Sequence, residues 1–155
     1  MAAVCFIFFI LPLQVFIIGD YTGIGIQGAV YRFQISGYGT YFFPITREII
    51  FVLNGTLTGK TALSVLLWVT GSVMLTITTF YSFLHVRETA ENYFRYVTYG
   101  LVGSCIAFLG SCIAQYGFFF QGPAGISLPA GIIAILSWIV IFHYYHRLFP
   151  GESKE

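Results

Sequence analysis

The sequence predicts an all-α integral membrane protein: a left-handed bundle of four transmembrane helices with a small extracellular cap of β-hairpin and short helix between the first two. Three observations carry this. Charged residues make up only 8% of the 155-residue chain and hydrophobic ones 57%, too little charge to clothe a water-facing surface, where about 25% is usual. The charges are absent from long runs: none from Met1 to Gly19, none between Lys60 and Arg87, none between Arg95 and Arg147. Finally, the last run carries a break, "QGPAGISLP" at Gln121 to Pro129, where proline and glycine favour a turn.

A membrane helix needs about 20 apolar residues, so the runs divide into spans at 1–18, 61–84, 94–119 and 127–148. The whole chain, 1–155, reads as one polytopic membrane domain. A secretory signal is the alternative for the first span, but a basic leader and an A-x-A-like cleavage site are both lacking. Four spans place both termini on one side with Arg87, Arg95, Arg147 and Lys154, against Arg32, Arg47 and Lys60 in the loop 19–60. The lysine and arginine bias puts the termini in the cytoplasm and that loop outside. "NGT" at Asn54 to Thr56 matches the N-glycosylation sequon, a pattern common by chance that fits that side.

Within the loop 19–60, "AVYRFQI" alternates Tyr31, Phe33 and Ile35 with Arg32 and Gln34, the period of a strand. "SGYGT" is a turn and "YFF" the returning strand, giving a hairpin across Ser36 to Thr40. "PITREIIFVLNG" reads as a short helix, with Pro44 in its first turn and Asn54-Gly55 at its end, or as a strand by its β-formers. The loop is either a cap over the bundle or a partner-binding surface. Between the second and third spans, Arg87, Glu91 and Arg95 are spaced for a short helical hairpin. "GIGIQG" at Gly23 to Gly28 lacks the strand and helix of a dinucleotide fingerprint.

The third span repeats GSCIA seven residues apart, at Gly103 and Gly110. Seven residues fall about 20° short of two helical turns, so Gly103, Gly110 and Gly117 form a seam with Ala107 and Ala114 beside it. The second span has Ser64, Gly71 and Thr78 at the same spacing, and the fourth offers Ala130, Ala134 and Ser137. Lipid supplies no hydrophobic drive between helices, so small residues collect where backbones approach. The expectation is a packing seam between spans two and three, or between subunits. Cys105 and Cys112 lie about 10 Å apart along one helix, too far for a disulfide. With Cys5 they read as small buried residues.

Candidates for chemistry are few. His85, His143 and His146, with Glu88 and Glu91, fall on one membrane side and could hold a metal or haem. The competing reading is boundary residues with polar tips at the headgroups. Gln14, Gln115 and Thr70 could line a polar pocket or bond between helices. No charged residue lies mid-span, which argues against a coupled pump. No catalytic motif is present, no cofactor is predicted, and a net charge of +1 without a basic run argues against nucleic acid.

The outline of four spans, a β-containing first loop and short later connections resembles the claudin-like tetraspan proteins. Residues 19–60 contain neither tryptophan nor cysteine, so no residue role transfers from that resemblance. The function expected is a non-catalytic interaction, assembly or scaffold subunit, its partners lipids and a membrane protein or a second copy. A small channel, transporter or lipid-binding protein is one alternative. A metal- or haem-bearing subunit is the other.

Overall fold

The computed structural model describes residues 2–19, 22–85 and 90–148, without the side chains of 2–4, 90–92, 142 and 145–148. It corrects the all-α bundle. Helix α1 (Ala2–Ile10) is followed by strands β1 (Gln14–Ile18), β2 (Gly23–Gln27), β3 (Tyr31–Ser36) and β4 (Gly39–Pro44). Helices α2 (Ile45–Leu53), α3 (Gly59–Leu84) and α4 (Ala90–Tyr116) come next, then β5 (Gln121–Gly122), β6 (Gly125–Leu128) and α5 (Ala130–Leu148). The strands form one antiparallel sheet in the order β4-β3-β2-β1-β6-β5. Two helices are long and apolar enough to cross a membrane, over Gly59–Leu84 and Tyr93–Tyr116.

The predicted first and fourth spans are where the correction falls. Residues 1–18 divide into α1 and β1, and 127–148 into the end of β6 and α5. "QVFII" and "GISL" carry no charge and are rich in aliphatic residues, and hydropathy alone does not separate a buried strand from a helix. Proline marks both divisions. Pro12 disfavours a helical residue before it, and Pro129 precedes the first turn of α5. The two divisions pack on each other: the Leu13 carbonyl accepts from the amides of Gly131 and Ile132 at 3.0 and 3.3 Å. A Cβ on Gly131 would run into the backbone of Pro12 and Leu13.

The hairpin and short helix expected in the loop 19–60 appear as β3, β4 and α2, with Gly55 at φ +72 after the helix. The same loop also holds β2, built from the glycine-rich "GIGIQ". Gly25 is needed there because the Phe16 ring lies where its Cβ would be. Buried apolar side chains from α1, α3, α4 and α5, among them Phe8, Trp68, Leu101 and Ile135, form the core.

Candidate functional site

The sheet is inverted relative to an ordinary half-solvated one. Register places Leu128, Val15, Ile26, Phe33 and Phe42 in one cross-strand row, and Ile126, Ile17, Ile24, Ile35 and Thr40 in another on the same face. None of these ten is buried. The alternate face carries Gln14, Gln27 and Arg32 in one row and Ser127, Phe16, Gly25 and Gln34 in the next. It packs on α3 and α4, and Gln14, Gln27 and Ser127 are buried there.

That inner face forms a continuous polar network. Gln14 Nε2 donates to Gln27 Oε1 at 2.9 Å. The same oxygen accepts from Arg32 Nε at 3.0 Å and Nη2 at 2.7 Å. Arg32 Nη1 reaches Glu48 Oε1 at 3.2 Å, with side-chain exposures of 12% and 6%. On the other flank, Gln14 Oε1 accepts from Cys112 Sγ at 2.6 Å and Ser127 Oγ at 3.1 Å. The guanidinium also lies 5.3 Å from the Trp68 ring centroid and 5.8 Å from that of Phe16, within cation–π range. Five separate elements (β1, β2, β3, α2 and α4) and Ser127 of β6 are thereby joined. A charge pair this deep is tolerable because the guanidinium is bonded at all three nitrogens, to Gln27 and to Glu48. The space beside Gln14 and Gln27, bounded by Leu13, Phe108, Cys112 and Ile132, is too narrow for water.

The loop between β2 and β3 reaches the middle of α3. Trp68 Nε1 donates to the Gly28 carbonyl at 3.0 Å, and the Ser72 hydroxyl lies against the Ala29 carbonyl. These bonds satisfy backbone groups that would otherwise be orphaned in an apolar interior.

The predicted pocket residues are not gathered. Gln14 pairs with Gln27 rather than Gln115. Gln115 Oε1 is buried without a partner, and Thr70 is exposed and bonds the Leu66 carbonyl of its own helix at 2.9 Å. Arg32, Gln27, Glu48 and Ser127 were not among the candidates read from the sequence. The signal for Arg32 was present, since alternation in β3 puts Arg32 opposite the apolar Tyr31 and Phe33. Nothing local identified its partners, which come from residues up to 16 positions away.

The small residues of α3 and α4 meet in part. Ser64 and Ser111 exchange hydroxyl-to-carbonyl bonds at 2.9 and 2.8 Å. Gly71 lies under the Phe108 ring, Gly103 against Met74, and Gly110 faces Leu67, whose Cδ1 would be 3.4 Å from a Cβ added there. Thr78 packs against Gly100, outside the predicted set. Ala107 is buried and Ala114 half-buried. Gly117 lies past the end of α4 with φ +87 and is exposed, so it serves as a helix terminator. Ala130, Ala134 and Ser137 of α5 face outward.

The histidines are separate in their surroundings. His85 stacks on Tyr81 at 4.2 Å between centroids, and His143 on Phe94 at 6.5 Å. Glu88 and the side chains of Glu91 and His146 lie outside the described residues. Among the described residues no three histidine, cysteine or acidic side chains are grouped as a metal site. All three cysteines are buried and free. Asn54 is exposed after α2. No protein-family profile, curated protein or solved structure matches the chain, and the four-span outline that resembled the claudin-like proteins is the one the sheet replaces.

Proposed function

We propose that the chain is a multi-pass membrane protein acting as a non-catalytic interaction or assembly subunit. Its framework is the helix and sheet core, and its contact part is the set of bare aromatic side chains on the connections that flank the sheet. One observation carries this reading. The polar groups beneath the sheet are turned onto one another around a filled space, while bare aromatic side chains stand on its two flanks, in the β3–β4 turn and in the connection from α4 to β5. Tyr38 is 90% exposed in the β3–β4 turn, and Phe118 and Phe119 are 76% and 88% exposed before β5. Aromatic side chains with a rigid frame behind them are the usual anchors of protein interfaces. In this reading the termini are cytoplasmic and the loop 19–60 is on the other side, toward a membrane-protein partner or a second copy.

Native mass spectrometry of protein purified in mild detergent, with metal analysis on the same sample, tests it. The expected result is a stoichiometric, metal-free assembly that Tyr38→Ser and Phe119→Ser dissociate without lowering the unfolding midpoint. A monomer unaffected by those changes, or a stoichiometric metal, overturns it.

A second reading has one observation in its favour. A groove of about 330 Å³ between α1 and α3 is lined by Phe6, Phe9, Phe80, Phe83, Leu84, Thr76 and Thr79. Both threonine hydroxyls are bonded to carbonyls of their own helix, at 2.7 Å each. The groove therefore suits an apolar chain such as a lipid acyl group. A monomer that retains such a molecule in the same spectra favours this reading.

A further inference from the structure

We infer that the outward face of the sheet is immersed in lipid, so that the chain crosses the membrane through two continuous helices and two composite passages, α1–β1 and β6–α5, each part helix and part strand. This rests on the membrane reading above and adds to it where the sheet lies and what covers it.

The first argument is depth. Tyr81 of α3 is stacked with Tyr93 and meets Tyr96 edge-on, and Tyr96 and Tyr99 are exposed. These tyrosines mark one membrane boundary, as aromatic side chains do at lipid–water interfaces. From Tyr81 to Ser72 is about 14 Å of helix, and to Trp68 about 20 Å, at ~1.5 Å per residue. Ser72 and Trp68 hold Ala29 and Gly28, the deep end of the sheet. The hydrocarbon layer is about 30 Å thick. The sheet thus begins within it. From that end the strands run beside the last turns of the candidate span Tyr93–Tyr116: Cys112 bonds Gln14, the partner of Gln27 next to Gly28, and two residues on Phe16 lies 6.4 Å from Tyr116 between ring centroids.

The second argument is length. In α5 the stretch free of ionisable residues runs from Ala130 to Phe142, with His143 next. That is about 20 Å of helix at ~1.5 Å per residue, some 10 Å short of the layer. His143 is stacked on Phe94, level with the tyrosine boundary. The residues that continue α5 upward are those of β6, and four strand residues add about 13 Å. β1 continues α1 in the same way, paired with β6 in register. The two helix-to-strand transitions sit side by side at Leu13 and Gly131.

The third argument is polarity. A sheet with water on one side turns its apolar face inward and its polar face out. Here the polar residues are turned inward: the inward rows carry Gln14, Gln27, Arg32 and Ser127 beside Phe16 and Phe43, and the outward rows are aliphatic or aromatic save Thr40 and, on the edge strand β5, Gln121. That is the polarity of a membrane strand, apolar to lipid and polar to the interior. Strand backbone in lipid must find all its partners within the protein, and β1, β2 and β6 are flanked by neighbours on both sides. Five strands at ~4.8 Å spacing make a patch of about 300 Å², well under the ~800 Å² a stable dimer buries per partner. Acyl chains cover such a patch without a minimum area.

The test is spin-label depth measurement in phosphatidylcholine vesicles, comparing oxygen and a water-soluble nickel reagent as collision partners. Labels go on Ile24→Cys and Leu128→Cys, both exposed on the face, with Val73→Cys on α3, exposed and about 12 Å of helix inward from Tyr81, as the lipid reference and Thr56→Cys as the water reference. Unmutated protein sets the background from its three cysteines. At both sheet positions the oxygen-to-nickel ratio should approach that of Val73 and stand several-fold above Thr56. A ratio like Thr56 at the sheet, with Val73 still oxygen-favoured, overturns the inference and leaves the membrane reading intact. Exclusion of both reagents means that protein covers the face, and also overturns it. If Val73 itself behaves like Thr56, the membrane reading fails and takes the inference with it. Ile35→Cys, on a third strand, serves where either sheet variant does not fold.

Discussion

The α3–α4 interface and the α3–sheet interface share one helix and are built on opposite principles. Toward α4, α3 offers small residues at a spacing of seven, and contact is close because side chains are missing: Gly71 under Phe108, Met74 over Gly103. Toward the sheet, it offers Trp68 and Ser72 to backbone carbonyls, beside a charge pair and two glutamines. The first interface gains from dispersion and tolerates small adjustments. The second gains from saturation, and one missing partner leaves several groups stranded in an apolar interior. This difference orders the expected effects of mutation.

The largest effect belongs to Arg32. Arg32→Met leaves Glu48 and the Gln27 oxygen without their strongest donor, and breaking a buried pair from one side costs about 3–5 kcal/mol. Replacing both charges, as in Arg32→Met with Glu48→Leu, should recover much of that loss, because no uncompensated charge remains. Unfolding titrations in mixed detergent read both variants. A single-variant loss below about 1 kcal/mol, the size of an exposed pair, removes the distinction between the two interfaces.

Next is Gly71→Ala. Its Cβ would meet Phe108 Cδ1 and Cε1 at 2.7 Å, and overpacking of this kind costs about 1–3 kcal/mol. In a Phe108→Leu background the cost should fall sharply, since the ring is what fills the space. An equal loss in both backgrounds shows that the helix rather than the contact is responsible.

Third is a contrast along the seven-residue glycine spacing. Gly110 and Gly117 stand seven apart, but only Gly117 has positive φ, at +87. Gly117→Ala should cost about 1–2 kcal/mol for its left-handed backbone. Gly110→Ala should cost less, because its nearest neighbour, Leu67, is a flexible side chain at 3.4 Å. Thermal midpoints of the two variants decide the ranking.

Legibility in the sequence follows the same division. The seam between α3 and α4 was readable from Ser64, Gly71 and Gly103 because helical packing repeats at a period that the sequence displays. The β3–β4 hairpin was readable from the alternation at Tyr31 to Ile35 and the turn at Ser36 to Thr40. What was not readable was conformation within uniformly apolar runs: "QVFII" forms a strand because Pro12 stops α1 and β2 and β6 are there to pair with it. Both neighbours are fixed only by the fold. The network was hidden for a related reason. Gln14 finds Gln27 and Ser127 across separations of 13 and 113 residues, and no local pattern marks either. Gly117 shows the converse, a residue in the right periodic place whose role is set by the end of its helix.

The smallest effect sharpens the comparison most. Ser64 and Ser111 are the polar pair within the small-residue seam, their hydroxyls 3.0 Å apart and each directed at the other's carbonyl. If that seam works by close approach, the hydroxyls add little. Interhelical hydrogen bonds between membrane helices average about 0.6 kcal/mol, and alanine at either position keeps the backbone separation. Ser64→Ala and Ser111→Ala should each cost about that much, and the double variant should show a coupling of similar size. The carbonyls lose a donor but keep their own helical partners, so no group is stranded as Glu48 would be. A coupling above about 2 kcal/mol exceeds the largest values known for such bonds. It would move Ser64 and Ser111 out of the dispersion-driven class and into that of Arg32 and Gln27, where polar saturation rather than missing side chains holds the helices together.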